Sequence, residues 1–228
     1  LSEKIIKPES TIFCPGHFRL GKRDYRCWKK MGHGNMNLHD ALVQSCDVYF
    51  YTIGHRLGIN NLAKYATKIG LGELTGIELR GEKSGLVPSK QWKKKFKNEP
   101  WYPGETISAS IGQGYNLVTP LQSASMISTI ASGGLLVRPY LVKRIEDSDG
   151  KLIQEIFPKI RRNIDIDPEV LKHLREGLRG VVNGARGTGH RARLKNVIVS
   201  GKTGTAQVVG MKASDEIDPK EKIPYLFR

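Results

Sequence analysis

No run of about 18 apolar residues occurs in the 228-residue sequence, so no stretch of it reads as a membrane-spanning helix. A basic, then apolar, then small-residue leader is also lacking, and no segment reads as a signal peptide. The first residue is Leu1 rather than Met, so the sequence is expected to be an internal piece of a longer protein. Internal repeats and low-complexity tracts are missing, which leaves no argument for a repeat array. Cysteine is scarce: Cys14, Cys27 and Cys46 all fall in the first fifth of the chain, and an odd number cannot all pair in internal disulfides.

Acidic residues are also in deficit. Asp and Glu number 22 against 37 Lys and Arg, a net charge of +15, which on composition alone permits nucleic acid, an anionic membrane surface or an acidic polymer as partner. Much of this charge sits in local runs such as Lys93-Lys94-Lys95 and Arg161-Arg162, which read as solvated surface. No zinc-finger, RNA-recognition or helix-turn-helix signature accompanies them, so nucleic acid is not an expected partner.

What is present supports a folded domain, because 39% apolar and 26% charged residues over this length can bury a core. Residues 1–36 have little periodicity and read as irregular, with short strands at most. Asn37 can cap a first helix, Asp47 to Leu57 reads as a second, and Asn60 to Ile69 as a third that stops at Gly70. Thr119-Pro120 opens a helix ending at Gly133-Gly134, and its small and apolar residues predict burial. Leu135 to Ile145 and Lys151 to Phe157 read as paired strands joined through Asp147-Ser148-Asp149-Gly150. Asp167-Pro168 opens a last helix to about Val182, and Val197 to Val209 reads as the last strand. Strands and helices are segregated, the pattern of an α+β fold.

That strand contains Lys202-Thr203-Gly204-Thr205. A cationic Lys202 can attract a carboxylate, and Gly204 lets a ligand lie against the strand edge. Thr205 can offer a hydroxyl to that carboxylate and a backbone N–H to an oxyanion. The tripeptide is weak alone, but three long stretches accompany it: TGIELRGEKSGLVPS from Thr75, SASIGQGYNLVTPLQSA from Ser108 and RGTGHRA from Arg186. In order and distance these resemble the class B penicillin-binding proteins, closest to the elongation-type penicillin-binding protein 2 group.

The resemblance implies the penicillin-binding and serine β-lactamase fold, a mixed sheet flanked by helices, with residues 1–228 forming a transpeptidase domain truncated at both ends. It implies peptidoglycan cross-linking by serine acyl transfer on D-alanyl-D-alanine stem peptides, inhibited by β-lactams. It further implies a place at the periplasmic face of the inner membrane, among elongation-machinery membrane proteins such as a glycosyltransferase. The family's second motif, usually Ser-x-Asn, falls at Ser45-Cys46-Asp47, where Ser45 takes the proton-relay role and Asp47 stands where an asparagine would hold substrate. The first motif, Ser-x-x-Lys, should lie upstream of it and does not. The only literal match, Ser148 to Lys151, sits in the predicted turn and is set aside. No nucleophile is therefore expected in this chain, which should be inactive alone. The alternatives are a penicillin-sensing or β-lactamase module of the same fold, or a basic binding fragment.

Cys14, Cys27, His33 and Cys46, with twelve, five and twelve intervening residues, suit a tetrahedral zinc site that would order residues 1–36. One disulfide plus a buried thiol is the other reading of the same cysteines. His17 is a reserve ligand.

Overall fold

The computed structural model describes residues 1–205. Four short strands organise the leading segment: β1 (Ile12–Cys14), β2 (His17–Leu20), β3 (Arg23–Arg26) and β4 (Gly34–Met36). They pair antiparallel, β1 with β4 and β2 with β3. Helices follow where the caps predict them. Asn37 accepts the Asp40 N–H at 2.8 Å and opens α1 (Leu38–Val43), and α2 spans Asp47–Leu57. The third helix, α3, covers Ile59–Lys68.

Two helices escape the sequence reading. The first, α4 (Lys90–Lys97), starts at Ser89, whose hydroxyl accepts the Trp92 N–H at 3.0 Å. The second, α5 (Pro103–Ala109), begins with proline, and Glu105 reaches back to the Tyr102 N–H at 2.8 Å. Lys93 corrects the solvated-run reading. Its side chain is 1% exposed, donates to Glu105, lies 3.3 Å from Glu99 and sits 4.4 Å from the centre of the Tyr102 ring. The Arg161-Arg162 run is also committed inward, with both guanidinium groups on Glu73 and Arg162 reaching the Thr67 carbonyl at 2.8 Å. These bonds tie the end of α3 to the later strands.

Thr119 caps α6 (Pro120–Ala131) as the sequence predicts, but the helix is not buried. Gln122 and Thr129 are its buried residues, while Ser123, Ala124 and Ser128 are exposed. Small residues gain little by burial, so they do not force a helix into a core. Gln122 instead does polar work: its amide donates to the carbonyls of Glu73 (2.8 Å) and Ser84 (2.7 Å) and accepts from the Thr119 N–H (2.9 Å). Gln122→Ala should remove three bonds from a buried side chain and leave the part-buried carbonyls to water, lowering unfolding stability by about 1–3 kcal/mol. A shift of the urea midpoint measures this, and an unchanged midpoint would show the carbonyls to be satisfied elsewhere.

The predicted hairpin divides differently. Pro139, which has no N–H to give a ladder, ends β5 at Leu135–Arg138, and a new strand β6 forms over Arg144–Glu146. The pairing is β6 with β7 (Leu152–Glu155) across the expected Asp147 to Gly150 turn, whereas β5 pairs with β8 (Lys159–Asn163). Ser148 to Lys151 lie at the exposed tip of that turn. Asp167 caps α7 (Pro168–Asn183). The predicted strand from Val197 has no strand partner up to Thr205, and its last residues lie outside the described ones. A strand is a paired object, and here the segment is held by single bonds instead: Asn183 to the Val199 carbonyl (2.8 Å) and the Gly201 N–H to the Leu178 carbonyl (3.1 Å).

The core gathers α1, α2 and α5 through Ala41, Val48, Tyr49, Tyr51 and Ile107, with Ile6, Cys14, Cys27 and Met36 from the leading segment. Against α1 lies α7, brought close by glycine. A Cβ at Gly177 would fall 2.6 Å from Leu42, and one at Gly180 2.6 Å from Val43. The described strands pair two by two in an α+β arrangement, and no described helix is long and apolar enough to cross a membrane.

Candidate active site

The four predicted ligands converge. The register of β1 against β4 places Cys14 opposite Gly34, with the His33 N–H on the Cys14 carbonyl at 3.0 Å. Cys27 leaves β3 with its N–H on the Gly16 carbonyl at 2.8 Å, and Cys46 precedes the first turn of α2. Their ligand atoms all lie within 4.8 Å of one another, and His33 Nδ1 is 3.5 Å from Sγ of both Cys14 and Cys27. Zinc bonds of about 2.3 Å to sulfur and 2.0 Å to nitrogen at tetrahedral angles put such a nitrogen about 3.5 Å from each sulfur, so the donor set fits a zinc ion. The three thiols are buried and free. A hydrogen bond from Cys46 pushes the Cys27 thiol down to about 4, helped by backbone N–H groups of Lys29, Val48 and Asp47 and opposed by burial. The same contact pushes Cys46 up. His17 is exposed on β2 and is not in the cluster.

Ser45 lies beside this cluster at an unusual helix end. The Ser45 N–H bonds to the Leu42 carbonyl (3.3 Å) and the Cys46 N–H to the Ala41 carbonyl (3.0 Å), closing α1 in the Schellman manner. That closure requires a left-handed residue, and Ser45 has φ of 54°. Glycine is the common occupant because a Cβ there costs about 1 kcal/mol, so Ser45 holds this conformation at some cost in backbone strain. Its hydroxyl meets Lys202, whose Nζ donates to Ser45 Oγ at 2.8 Å across 157 residues of sequence, and to the Thr203 carbonyl at 3.1 Å. Burial pushes the Lys202 ammonium below its ordinary value, and the charge of Asp47 opposes that. Asp47, raised by burial, accepts the Trp28 N–H at 2.9 Å.

The remaining predicted residues are less engaged. Thr203 shares a hydroxyl bond of 2.8 Å with Thr188 of the RGTGHRA stretch, whose N–H reaches the Val43 carbonyl at 3.3 Å. Gly204 and Thr205 are exposed, and a Cβ on Gly204 would meet nothing within 4 Å among the described residues. Sequence reasoning missed Thr188 and Trp28. Thr188 lay within a quoted stretch, but nothing in the sequence pointed from Trp28 to Ser45.

A lysine from the chain's last described segment thus meets a serine at a helix end on an α+β framework. The chain belongs to the penicillin-binding protein transpeptidase domain family, which it matches over residues 1–221. It is 37% identical over 222 residues to the peptidoglycan D,D-transpeptidase MrdA of Haemophilus influenzae, an alignment covering 94% of this chain and 33% of that protein. It superposes with TM-score 0.80 on Pseudomonas aeruginosa PBP2 in complex with WCK 5153, at 37% identity over 90% of this chain and 47% of that one. A TM-score of 0.76 relates it to Helicobacter pylori PBP2 in its complex with MreC, at 37% identity over 89% of this chain and 36% of that one. The chain spans about a third of the length of the curated relatives it matches. The family resemblance and the α+β transpeptidase fold read from the sequence are borne out.

Proposed function

We propose that this chain is part of a peptidoglycan D,D-transpeptidase of cell elongation and carries the half of the active site that binds and relays, but not the half that attacks. The observation that carries this reading is the 2.8 Å bond from Lys202 Nζ to Ser45 Oγ, which unites the second and third motifs. A serine from a Ser-x-x-Lys motif outside this sequence attacks the carbonyl of the D-alanyl-D-alanine bond. An ester forms, and D-alanine leaves with the proton relayed through Ser45. An amine of a neighbouring stem peptide then takes the acyl group and restores the hydroxyl. Lys202, Thr203, Gly204 and Thr205 form the edge that receives the terminal carboxylate, and the Thr205 N–H serves the oxyanion. Asp47 holds the motif through Trp28 and keeps a negative charge near Lys202.

Zinc on Cys14, Cys27, His33 and Cys46 would order residues 1–36 within the domain and supplies no step of the chemistry. The likeness to a PBP2 solved with MreC supports proteins of the elongation machinery as partners, and a place at the periplasmic face of the inner membrane belongs to the same proposal. Stem peptides and β-lactams are the ligands, and nucleic acid is not.

Fluorescent penicillin tests the reading. The 228-residue chain should stay unlabelled, while the longer protein containing it should carry a stable covalent label. Labelling of the short chain would place the nucleophile within it, and failure of both to label would end the transpeptidase reading.

A further inference from the structure

The closure of α1 that puts Ser45 in the left-handed region also leaves two carbonyls, those of Gln44 and Ser45, turned away from the helix. Among the described residues no backbone N–H reaches either one. Trp28 does. Its indole Nε1–H donates to the Gln44 carbonyl at 3.1 Å and to the Ser45 carbonyl at 2.9 Å, while its own backbone N–H donates to Asp47 at 2.9 Å. One residue thus grips the second motif on both sides of Cys46.

Core packing does not explain this tryptophan, because it is 59% exposed. A tryptophan kept for the hydrophobic effect is mostly covered, and one kept for its N–H needs only its edge in place. The edge of this ring is fixed from two sides. Trp28 follows Cys27, a member of the thiol cluster, and its ring packs against His33 with centroids 5.3 Å apart at 67°.

We propose that Trp28 is a positioning residue of the acyl-transfer site, its indole N–H holding Ser45 in the left-handed conformation that aims the hydroxyl at Lys202. The proposal rests on the transpeptidase reading of Ser45. Without the N–H, the carbonyls of Gln44 and Ser45 turn to water, only the two backbone bonds that close α1 are left to hold Ser45, and its hydroxyl drifts from Lys202.

Trp28→Phe in the longer protein is the test, since it removes the indole donor while keeping an aromatic ring and the backbone bond to Asp47. Expected is a fall of about 10- to 100-fold in the acylation rate constant with penicillin, the usual penalty for a catalytic group misplaced by about an ångström. The dissociation constant of the preceding non-covalent complex, the metal content and the melting temperature should hold within about twofold or a few degrees. A crystal structure of the variant should show Ser45 out of the positive-φ region or its hydroxyl beyond hydrogen-bond reach of Lys202. Acylation within twofold of wild type, or a loss of rate accompanied by equal losses of metal and melting temperature, would overturn the proposal. Failure of the wild-type protein to acylate would strike the transpeptidase reading instead, so the two are told apart by the control.

Discussion

Stripping the protein with a strong chelator should release about one zinc per chain and turn three protected thiols into three reactive ones, with the leading segment losing its order. The expectation follows from how little else holds that segment. Its strands are three or four residues long and pair only two by two, and such ladders are marginal in water. Its buried apolar residues are Ile6, Met36, Cys14 and Cys27, and the rest of its packing, through Ile12, Phe18, Leu20 and Tyr25, is only partly buried. An ion present at a thousand times its dissociation constant stabilises by about 4 kcal/mol, and its removal should lower the melting temperature accordingly. Cys14→Ser should reproduce the effect without chelator. Mass spectrometry for metal and a thiol count decide the matter. Absent metal with a single reactive thiol would mean a disulfide, and the link between ion and active site would be dropped.

Lys202→Ala, made in the longer protein, should slow acylation by penicillin by about 10²- to 10³-fold, the equivalent of about 3–4 kcal/mol for removing a charged group from the transition state. Lys202 meets Ser45, and in the proposed function it also receives the ligand carboxylate, so its removal should weaken binding and chemistry together. Stopped-flow measurement of the second-order acylation constant reads this directly. A variant that acylates like the wild type would remove Lys202 from the site, and with it the observation on which the functional reading stands.

Much of the framework was legible because helix starts are written locally. Asn37, Thr119-Pro120 and Asp167-Pro168 each cap as their side chains predict. What failed depended on partners distant in sequence. Lys93 is buried because Glu105 comes to meet it, and within Lys93-Lys94-Lys95 nothing marks which lysine that will be. Leu135 to Ile145 reads as one strand from its apolar residues, but Pro139 offers no N–H to a ladder and ends β5 at Arg138. That Cys14, Cys27, His33 and Cys46 come together was legible from residue type, since cysteines are few in this chain. The meeting of Ser45 with Lys202 was legible only through the family resemblance, and Trp28 not at all, because its partners are carbonyls, which every residue has.

The contact between α1 and α7 matters beyond packing. The C-terminal end of α1 leads into Ser45, while the bonds from Leu178 and Asn183 of α7 hold the segment that leads into Lys202. The two helices therefore act like the jaws of a caliper whose reading is the distance between ammonium and hydroxyl. Gly177 and Gly180 set its zero, and a side chain at either would open the jaws and carry Lys202 away from Ser45 while leaving every residue of both motifs in place.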